Sequence, residues 1–259
     1  MNISEIVEKI DVERLKIVSI VGAGISKASG MPTFRGEDGM WDNYSAMELA
    51  TPQAFAKDPQ LVWNWYKARM RILLEAKPNN AHFALTELEE EGLSLGIITQ
   101  NVDGLHEIAG SKNIIEIHGR IRYARCTSCN HIQRWDNHKI ANERDSLLYC
   151  PKCKNSLLRP DVVWFGEPLD PLKSEKALDW LSQCNLVLVI GTSGVVYPVA
   201  SFPSFAKKSG AKIIEFNIES TPLTPICDFS IFGKCEETLP VFVKELIRKV
   251  EKRKSEKNE

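Results

Sequence analysis

Four cysteines fall in two pairs, Cys126-x2-Cys129 and Cys150-x2-Cys153, with twenty residues between them. Two such knuckles have zinc-ribbon spacing. Four soft thiolates close a tetrahedral shell, so the Zn2+ they hold supports structure and has no open position for activating water. A redox dithiol pair, and a zinc module that contacts nucleic acid, are the rival readings. His131, Arg134 and Lys139 lie between the knuckles without forming a basic cluster. Cys184 and Cys227 stand outside the pattern and read as buried packing residues.

A second group of residues is suited to a nucleotide. GAGIS (22–26) follows an apolar run, and glycines there permit close approach of backbone to a pyrophosphate. The dinucleotide fingerprint is incomplete, because residue 27 is Lys and no acidic residue follows about twenty positions on at the end of a second strand. A tight strand-to-helix turn is the competing explanation. GTSG (191–194) and FNIE (216–219) repeat the small-plus-polar arrangement, and three such ends on one sheet favour a nucleotide. Glu219 is placed to accept from ribose hydroxyls.

TQNVDGLH (99–106) and His118-Gly119 bring an amide, a carboxylate and an imidazole near neighbouring strand ends. Taken singly, His118, His82 and His106 read as hydrogen-bonded structural histidines, and Asp103 as a helix N-cap. WNWYKARM (63–70) poses a separate question. On a helix Tyr66 and Arg69, three apart, share a face, which is either a solvated edge or a reader of negative charge.

The elements that must position these groups are legible from periodicity. Ile3, Ile6, Val7 and Ile10 have helical spacing. The runs at 15–21, 95–99, 114–119, 185–191 and 211–217 are short, apolar and end near Gly or polar residues, as buried strands do. Helical patterns cover 60–76, 171–183, 198–208 and 237–252, and another runs from a cap at Asn79 or Asn80 to Glu91, with Gly92 as its stop. Residues 25–47 read as a long loop. Strands alternating with helices predict an α/β fold with a parallel sheet wound on both sides, binding its ligand at the carboxyl ends of the strands.

Composition narrows the function classes. The 259 residues suit one large domain, or a core with a smaller insertion. Lys and Arg total 33 against 34 Asp and Glu, so no global field favours nucleic acid or an anionic membrane. No apolar stretch approaches the ~20 residues of a membrane span. MNISEIVEKI lacks a basic start followed by an apolar run, so no secretory signal is expected. A soluble, cytoplasmic, monomeric protein with reduced thiols is the expectation. The last nine residues, EKRKSEKNE, read as a solvated mixed-charge tail, the frayed end of a helix.

GAGISKASGMPTFRG (22–36), TQNVDGLH, HG (118–119), the four cysteines, GTSGVVYPVA (191–200) and FNIE resemble the sirtuins, NAD-dependent protein-lysine deacylases, in the order that family carries them. The resemblance runs from Val18 to Leu239. It implies a Rossmann-like large domain (1–35, 79–120 and 159–259) and a small domain made of a helical insertion (36–78) and a zinc-ribbon insertion (121–158). It implies NAD as a consumed co-substrate and one structural zinc. Gly22, Ala23, Gly24, Ile25, Ser26, Phe34, Arg35 and Trp41 would bind NAD, with Phe34 shielding the reacting ribose. Gln100, Asn101, Val102 and Asp103 would hold the nicotinamide end, with Asn101 positioning ribose and water. Gly191, Thr192, Ser193, Asn217, Ile218, Glu219 and Cys235 would hold the adenosine side.

In that family the acyl oxygen attacks the ribose carbon as nicotinamide leaves. His118, with Asn101 and Asp103 the catalytic set, would then activate a ribose hydroxyl as general base, yielding free lysine and 2′-O-acyl-ADP-ribose. Val162, Val163 and Phe165 would line the acyl-lysine cleft. A Tyr-x-x-Arg pair with an upstream alanine marks one sirtuin class, and Tyr66, Arg69 and Ala50 fit it, so succinyl- and malonyl-lysine are expected substrates beside acetyl-lysine. The expected partner is an acylated lysine in a protein or peptide, with no direct nucleic-acid binding. ADP-ribosyl transfer from the same NAD site is the enzymatic alternative, disfavoured by His118 and Asn101. A non-enzymatic NAD sensor or zinc-ribbon nucleic-acid module is the other, disfavoured by the balanced charge.

Overall fold

A computed structural model describes residues 2–33, 40–41, 44–129, 131–143 and 145–257. The described strands are β1 (Ile17–Val21), β2 (Met40–Trp41), β3 (Tyr44–Ser45), β4 (Ser94–Thr99), β5 (Ile114–Glu116), β6 (Gly119–Cys126), β7 (Ile132–Arg134), β8 (Leu158–Val162), β9 (Leu186–Ile190), β10 (Lys212–Asn217) and β11 (Phe229–Phe232). The helices are α1 (Ile3–Glu8), α2 (Ala46–Leu49), α3 (Pro52–Lys57), α4 (Pro59–Glu75), α5 (Asn80–Glu90), α6 (Leu105–Ala109), α7 (His138–Asn142), α8 (Pro171–Gln183), α9 (Phe202–Lys208) and α10 (Cys235–Glu256). No described helix is long and apolar enough to cross a membrane.

The main sheet is parallel, in the order β11-β10-β9-β1-β4-β5. Strand alternation divides its side chains between two cores. Ile17, Val21, Leu186, Leu188 and Ile190 pack with α1, α5 and α10. Val18, Ile20, Val187 and Val189 pack with α8 and α9 on the other face. Both faces are thus covered, which is why these strands read as continuous apolar runs. From β1 the chain builds outward through β4 and β5, then returns to the far side of β1 as β9. The crevice above the carboxyl ends of β1 and β9 is therefore the topological switch point, where such sheets bind ligands.

A third apolar cluster lies apart from the sheet. It joins Leu49, Phe55, Trp63, Trp65, Tyr66, Met70 and Leu73 to Trp135, Ala141, Cys126, Cys150 and Leu158. The helical segment α2–α4 and the cysteine segment, far apart in sequence, thus share one core. The cysteine segment carries a small antiparallel sheet in the order β7-β6-β8.

Three readings change. The expected loop at 25–47 begins inside a 3-10 helix, Ala23–Ser29, and ends in α2, whose capping box is Ser45 with Glu48. The expected strand 114–119 is two elements, because the chain turns at Ile117–His118 and restarts at Gly119. Strands β8 and β11 were not expected. β8 contains Pro160, which is tolerated because β8 is an edge strand. The last helix runs on to Glu256 with its final turns exposed, in keeping with a solvated helix end.

Candidate active site

The end of β1 presses on the end of β9. Gly22 N donates to Ile190 O (2.9 Å) and Gly24 N to Gly191 O (2.8 Å). A Cβ at Gly22 or Gly24 would come within 2.7 or 2.8 Å of Gly191, so no larger residue fits. The bare backbone at 22–24 therefore reflects close strand packing as well as access for a ligand. Beside it, Asn217 Nδ2 donates to Thr192 O (2.9 Å) and Gln100 Nε2 to Thr192 Oγ1 (3.0 Å). The loop after β10 is pinned from below by Glu215, which accepts from the hydroxyls of Thr221, Thr224 and Ser230 at 2.5, 2.6 and 3.1 Å.

These ends open into a cavity of about 950 Å³. Gly22, Ala23, Gly24, Gln100, Asn101, Val102, His118, Gly191, Thr192, Ser193, Asn217, Ile218, Glu219 and Cys235 line it. Its far end is lined by Ala50, Tyr66, Arg69, Val162, Val163, Trp164 and Phe165. A smaller recess below is lined by Ser26, Met31, Pro32, Arg69, Asn101, Asp103 and Ile121.

A buried polar network floors that recess. Ser26 Oγ donates to Asp103 Oδ2 (2.8 Å), and Leu105 N donates to Oδ1 (3.0 Å). Asn101 Nδ2 donates to Gly22 O and to Ser26 Oγ, both at 3.2 Å. Asn79 N donates to His82 Nδ1 (3.3 Å), which leaves the ring proton on Nε2, facing Ser26 Oγ at 3.4 Å. Burial pushes the Asp103 carboxyl pKa up, against the lowering by its N–H and hydroxyl donors. Burial pulls His82 down to about 4 and His106 well below the ordinary histidine value, so both rings stay neutral. Neither ring nitrogen of His106 has a partner among the described residues, and its ring packs 4.8 Å from that of His82.

His118 sits in the turn between β5 and β6. Its Nδ1 lies 3.1 Å from Gln100 O. A carbonyl only accepts, so Nδ1 carries the proton and Nε2 keeps its lone pair. Burial holds the His118 pKa below its usual value, so the neutral, basic form persists at neutral pH. Gly119, at φ +86, makes this turn possible; a Cβ there would lie 2.3 Å from Asp161 O. The His-Gly pair is thus one unit, with the glycine setting the turn that presents the imidazole.

At the far end Val163 N donates to His118 O (2.8 Å) and Phe165 N to Ala50 O (2.9 Å), tying the 162–167 segment to both sides of the cavity. Tyr66 and Arg69 are buried. The Arg69 guanidinium lies 5.4 Å from the Trp65 ring, and burial lowers its pKa. The reading of this pair as a solvated helix edge is therefore wrong: both face inward.

The four cysteine sulfurs lie within 4.8 Å of one another. Cys126–Cys153 and Cys129–Cys150 are 3.6 and 3.7 Å apart. A tetrahedron with Zn–S bonds of about 2.3 Å has sulfur edges of about 3.8 Å, so the donor set fits zinc. Backbone N–H groups of Ser128 and Cys129 donate to Cys126 Sγ at 3.3 and 3.4 Å, as an anionic thiolate favours.

The model of the Sir2 family matches residues 22–198. The chain belongs to the Sir2 family. The NAD-dependent protein deacylase of Pyrococcus furiosus is 50% identical over 250 residues, covering 93% of this chain and 97% of that protein. The NAD-dependent protein deacylase of Aquifex aeolicus is 48% identical, over 88% of this chain and 93% of that one. Among solved structures, a Sir2 homolog–NAD complex superposes with TM-score 0.86 at 48% identity, covering 91% of this chain and 90% of that one. A mutant Sir2 homologue with 2′-O-acetyl ADP ribose gives TM-score 0.90 at 46% identity, over 95% and 97%. A Sir2–p53 peptide–NAD+ complex gives 0.81 at 34%, over 96% and 98%.

Against this Sir2 frame, the expected site residues sort plainly. Phe34 and Arg35 lie outside the described residues, as does the side chain of Trp41. The Ile25 side chain is fully buried in the core and does not line the cavity, so only its backbone can face a ligand. Asp103 is not the N-cap, which is Gly104, yet it accepts from the first turn of α6. Trp164 and Glu167, in the 162–167 run that resembles the family's substrate cleft, also line the cavity, as do Tyr197 and Lys234, to which the sequence reading gave no role.

Proposed function

We propose that this Sir2-family chain is an NAD-dependent protein-lysine deacylase that removes succinyl and malonyl groups as well as acetyl groups. The observation that carries the acyl range is the burial of Tyr66 and Arg69 in the wall of the same cavity that the nucleotide-cradle residues line, with Arg69 also bordering the recess of Asn101 and Asp103. A buried guanidinium and phenol suit a carboxylate, which can accept from both. The chain divides on this reading into a nucleotide-holding large part (1–35, 79–120 and 159–259) and an acyl-reading small part (36–78 and 121–158), whose shared apolar core also takes in Met31, Leu105, Val162 and Trp164 of the large part.

NAD supplies the electrophilic ribose carbon, the nicotinamide leaving group and the hydroxyl that receives the acyl group. The bare backbone at Gly22–Gly24 admits the diphosphate, and Thr192, Ser193, Asn217, Ile218, Glu219 and the Cys235 backbone take the adenosine side. Ser26, Asn101, Val102 and Asp103 line the recess for the carboxamide, where a desolvated polar floor holds an amide in one orientation. His118 Nε2 takes the proton from the ribose hydroxyl, and the Gln100 carbonyl keeps the ring in the tautomer this requires. Val162, Val163 and Phe165 flank the lysine stem and exclude water from it. Cys126, Cys129, Cys150 and Cys153 hold zinc as a structural staple remote from these steps.

The test is Arg69→Met with acetyl- and succinyl-lysine forms of one peptide. A charge-assisted hydrogen bond is worth roughly 1.5–3 kcal/mol, so the succinyl-to-acetyl ratio of kcat/KM is expected to fall about 10- to 150-fold. An unchanged ratio would sink the acyl reading while leaving NAD-dependent deacylation intact.

A further inference from the structure

The indole Nε1–H of Trp164 donates to the Tyr66 hydroxyl oxygen at 2.8 Å, and both side chains are buried. An indole nitrogen has no lone pair to accept with, so the direction of this bond is fixed. The Tyr66 oxygen accepts, and its own hydrogen must leave in another direction. No described residue accepts it in a hydrogen bond. Burial drives the Tyr66 pKa upward, so the phenol keeps that hydrogen. Arg69, one turn along α4, carries donors only. Phenol and guanidinium both line one cavity.

Trp164 is itself held from three sides. The Arg159 guanidinium lies over its ring at 3.4 Å. Glu167 Oε2 accepts from the Trp164 backbone N–H (2.8 Å), and Glu167 pairs with Arg159 at 2.5 and 2.8 Å. The Phe55 ring packs 5.3 Å away. A side chain fixed this firmly can impose an orientation on a lighter neighbouring group.

We propose that Trp164 is a positioning residue for acyl-charge selectivity: its indole N–H fixes the Tyr66 hydroxyl as a donor toward the carboxylate end of the acyl group. The inference rests on the pocket reading given above and deepens it. Trp164 does not act on the reacting atoms. It removes the choice that a phenol otherwise has between donating and accepting, and so disfavours acyl termini that only donate.

The test replaces Trp164 with 3-benzothienylalanine, which keeps the bicyclic ring and its stacking but puts sulfur where the N–H was. Trp164→Phe is the second variant. Each is assayed on succinyl- and acetyl-lysine forms of one peptide, in the wild-type and Tyr66→Phe backgrounds. One neutral hydrogen bond corresponds to a roughly 3- to 10-fold fall in the succinyl-to-acetyl ratio, carried by KM for the succinyl peptide. In the Tyr66→Phe background the same replacement is expected to leave the ratio unmoved. Equal losses on both substrates, or a full shift persisting without the Tyr66 hydroxyl, would overturn the role of Trp164 alone. Wild-type enzyme inactive on the succinyl peptide would overturn the pocket reading, and the role of Trp164 with it.

Discussion

Lys67 lies between Tyr66 and Arg69 in sequence but turns the other way, and its removal should loosen the helix that carries them. The side chain is 1% exposed. Its Nζ donates to Glu143 O (2.7 Å), Ser146 O (2.6 Å) and Ser146 Oγ (2.7 Å), which fastens α4 to the cysteine segment. Trp63 Nε1 and Arg71 bond to Leu158 O (2.9 Å) and Ala141 O (2.7 Å), and Asn64 Nδ2 donates to Asp145 Oδ1 (2.9 Å), so the clasp has neighbours but Lys67 makes the most bonds in it. Lys67→Met keeps the stem volume and removes all three bonds. Charged hydrogen bonds contribute about 1.5–3 kcal/mol each, but three on one nitrogen do not add, and the freed carbonyls regain some water; about 3 kcal/mol is the expected loss. For a chain of this size that lowers Tm by roughly 6–12 °C. Calorimetric melting of the zinc-loaded protein reads it directly. A drop of less than about 2 °C would refute the claim that this amine holds the two insertions together.

The remaining predictions concern the base, the metal and one turn. Because burial lowers the His118 pKa, the enzyme keeps its active neutral imidazole as pH falls; the acid limb of kcat/KM should have its midpoint below 6.5, and a midpoint above 6.5 would contradict the assignment. His118→Ala should retain NAD binding by titration calorimetry while turnover falls by about 10²-fold or more, and full activity would remove the mechanism. Elemental analysis should find one zinc per chain, and its chelation should lower Tm; a metal-free protein with unchanged melting would contradict the fit of the four thiols. Gly119→Ala should cost about 2 kcal/mol in denaturant unfolding, because it sets an L residue at φ +86 against Asp161 O; stability within experimental error of wild type would contradict the turn geometry.

The main sheet was legible because its strands are buried on both faces. IVSIV, LGIIT and NLVLVIG are mostly β-branched or aliphatic, and each ends where the ligand crevice begins. The cysteines were legible because metal spacing is local. What stayed hidden depends on pairing across long separations. Leu158–Val162 is a strand only because Gly119–Cys126 lies beside it, and Phe229–Phe232 only because β10 does. Lys67 reads as an ordinary helix lysine until residues 143 and 146 are brought beneath it. The Trp164–Tyr66 bond spans 98 positions, and no periodicity could announce it. His82 is another case: its role as a neutral link from Asn79 to Ser26 needs two segments 56 positions apart to meet.

The central claim is that one cavity joins an NAD site to a pocket that accepts neutral and anionic acyl-lysines. The most direct measurement incubates wild-type protein with acetyl- and succinyl-lysine versions of one peptide, with and without NAD, and counts nicotinamide against free lysine. The account predicts removal of both acyl groups only when NAD is present, with one nicotinamide released per lysine freed. Deacylation without NAD, or nicotinamide release with both acyl-lysines left intact, would contradict it.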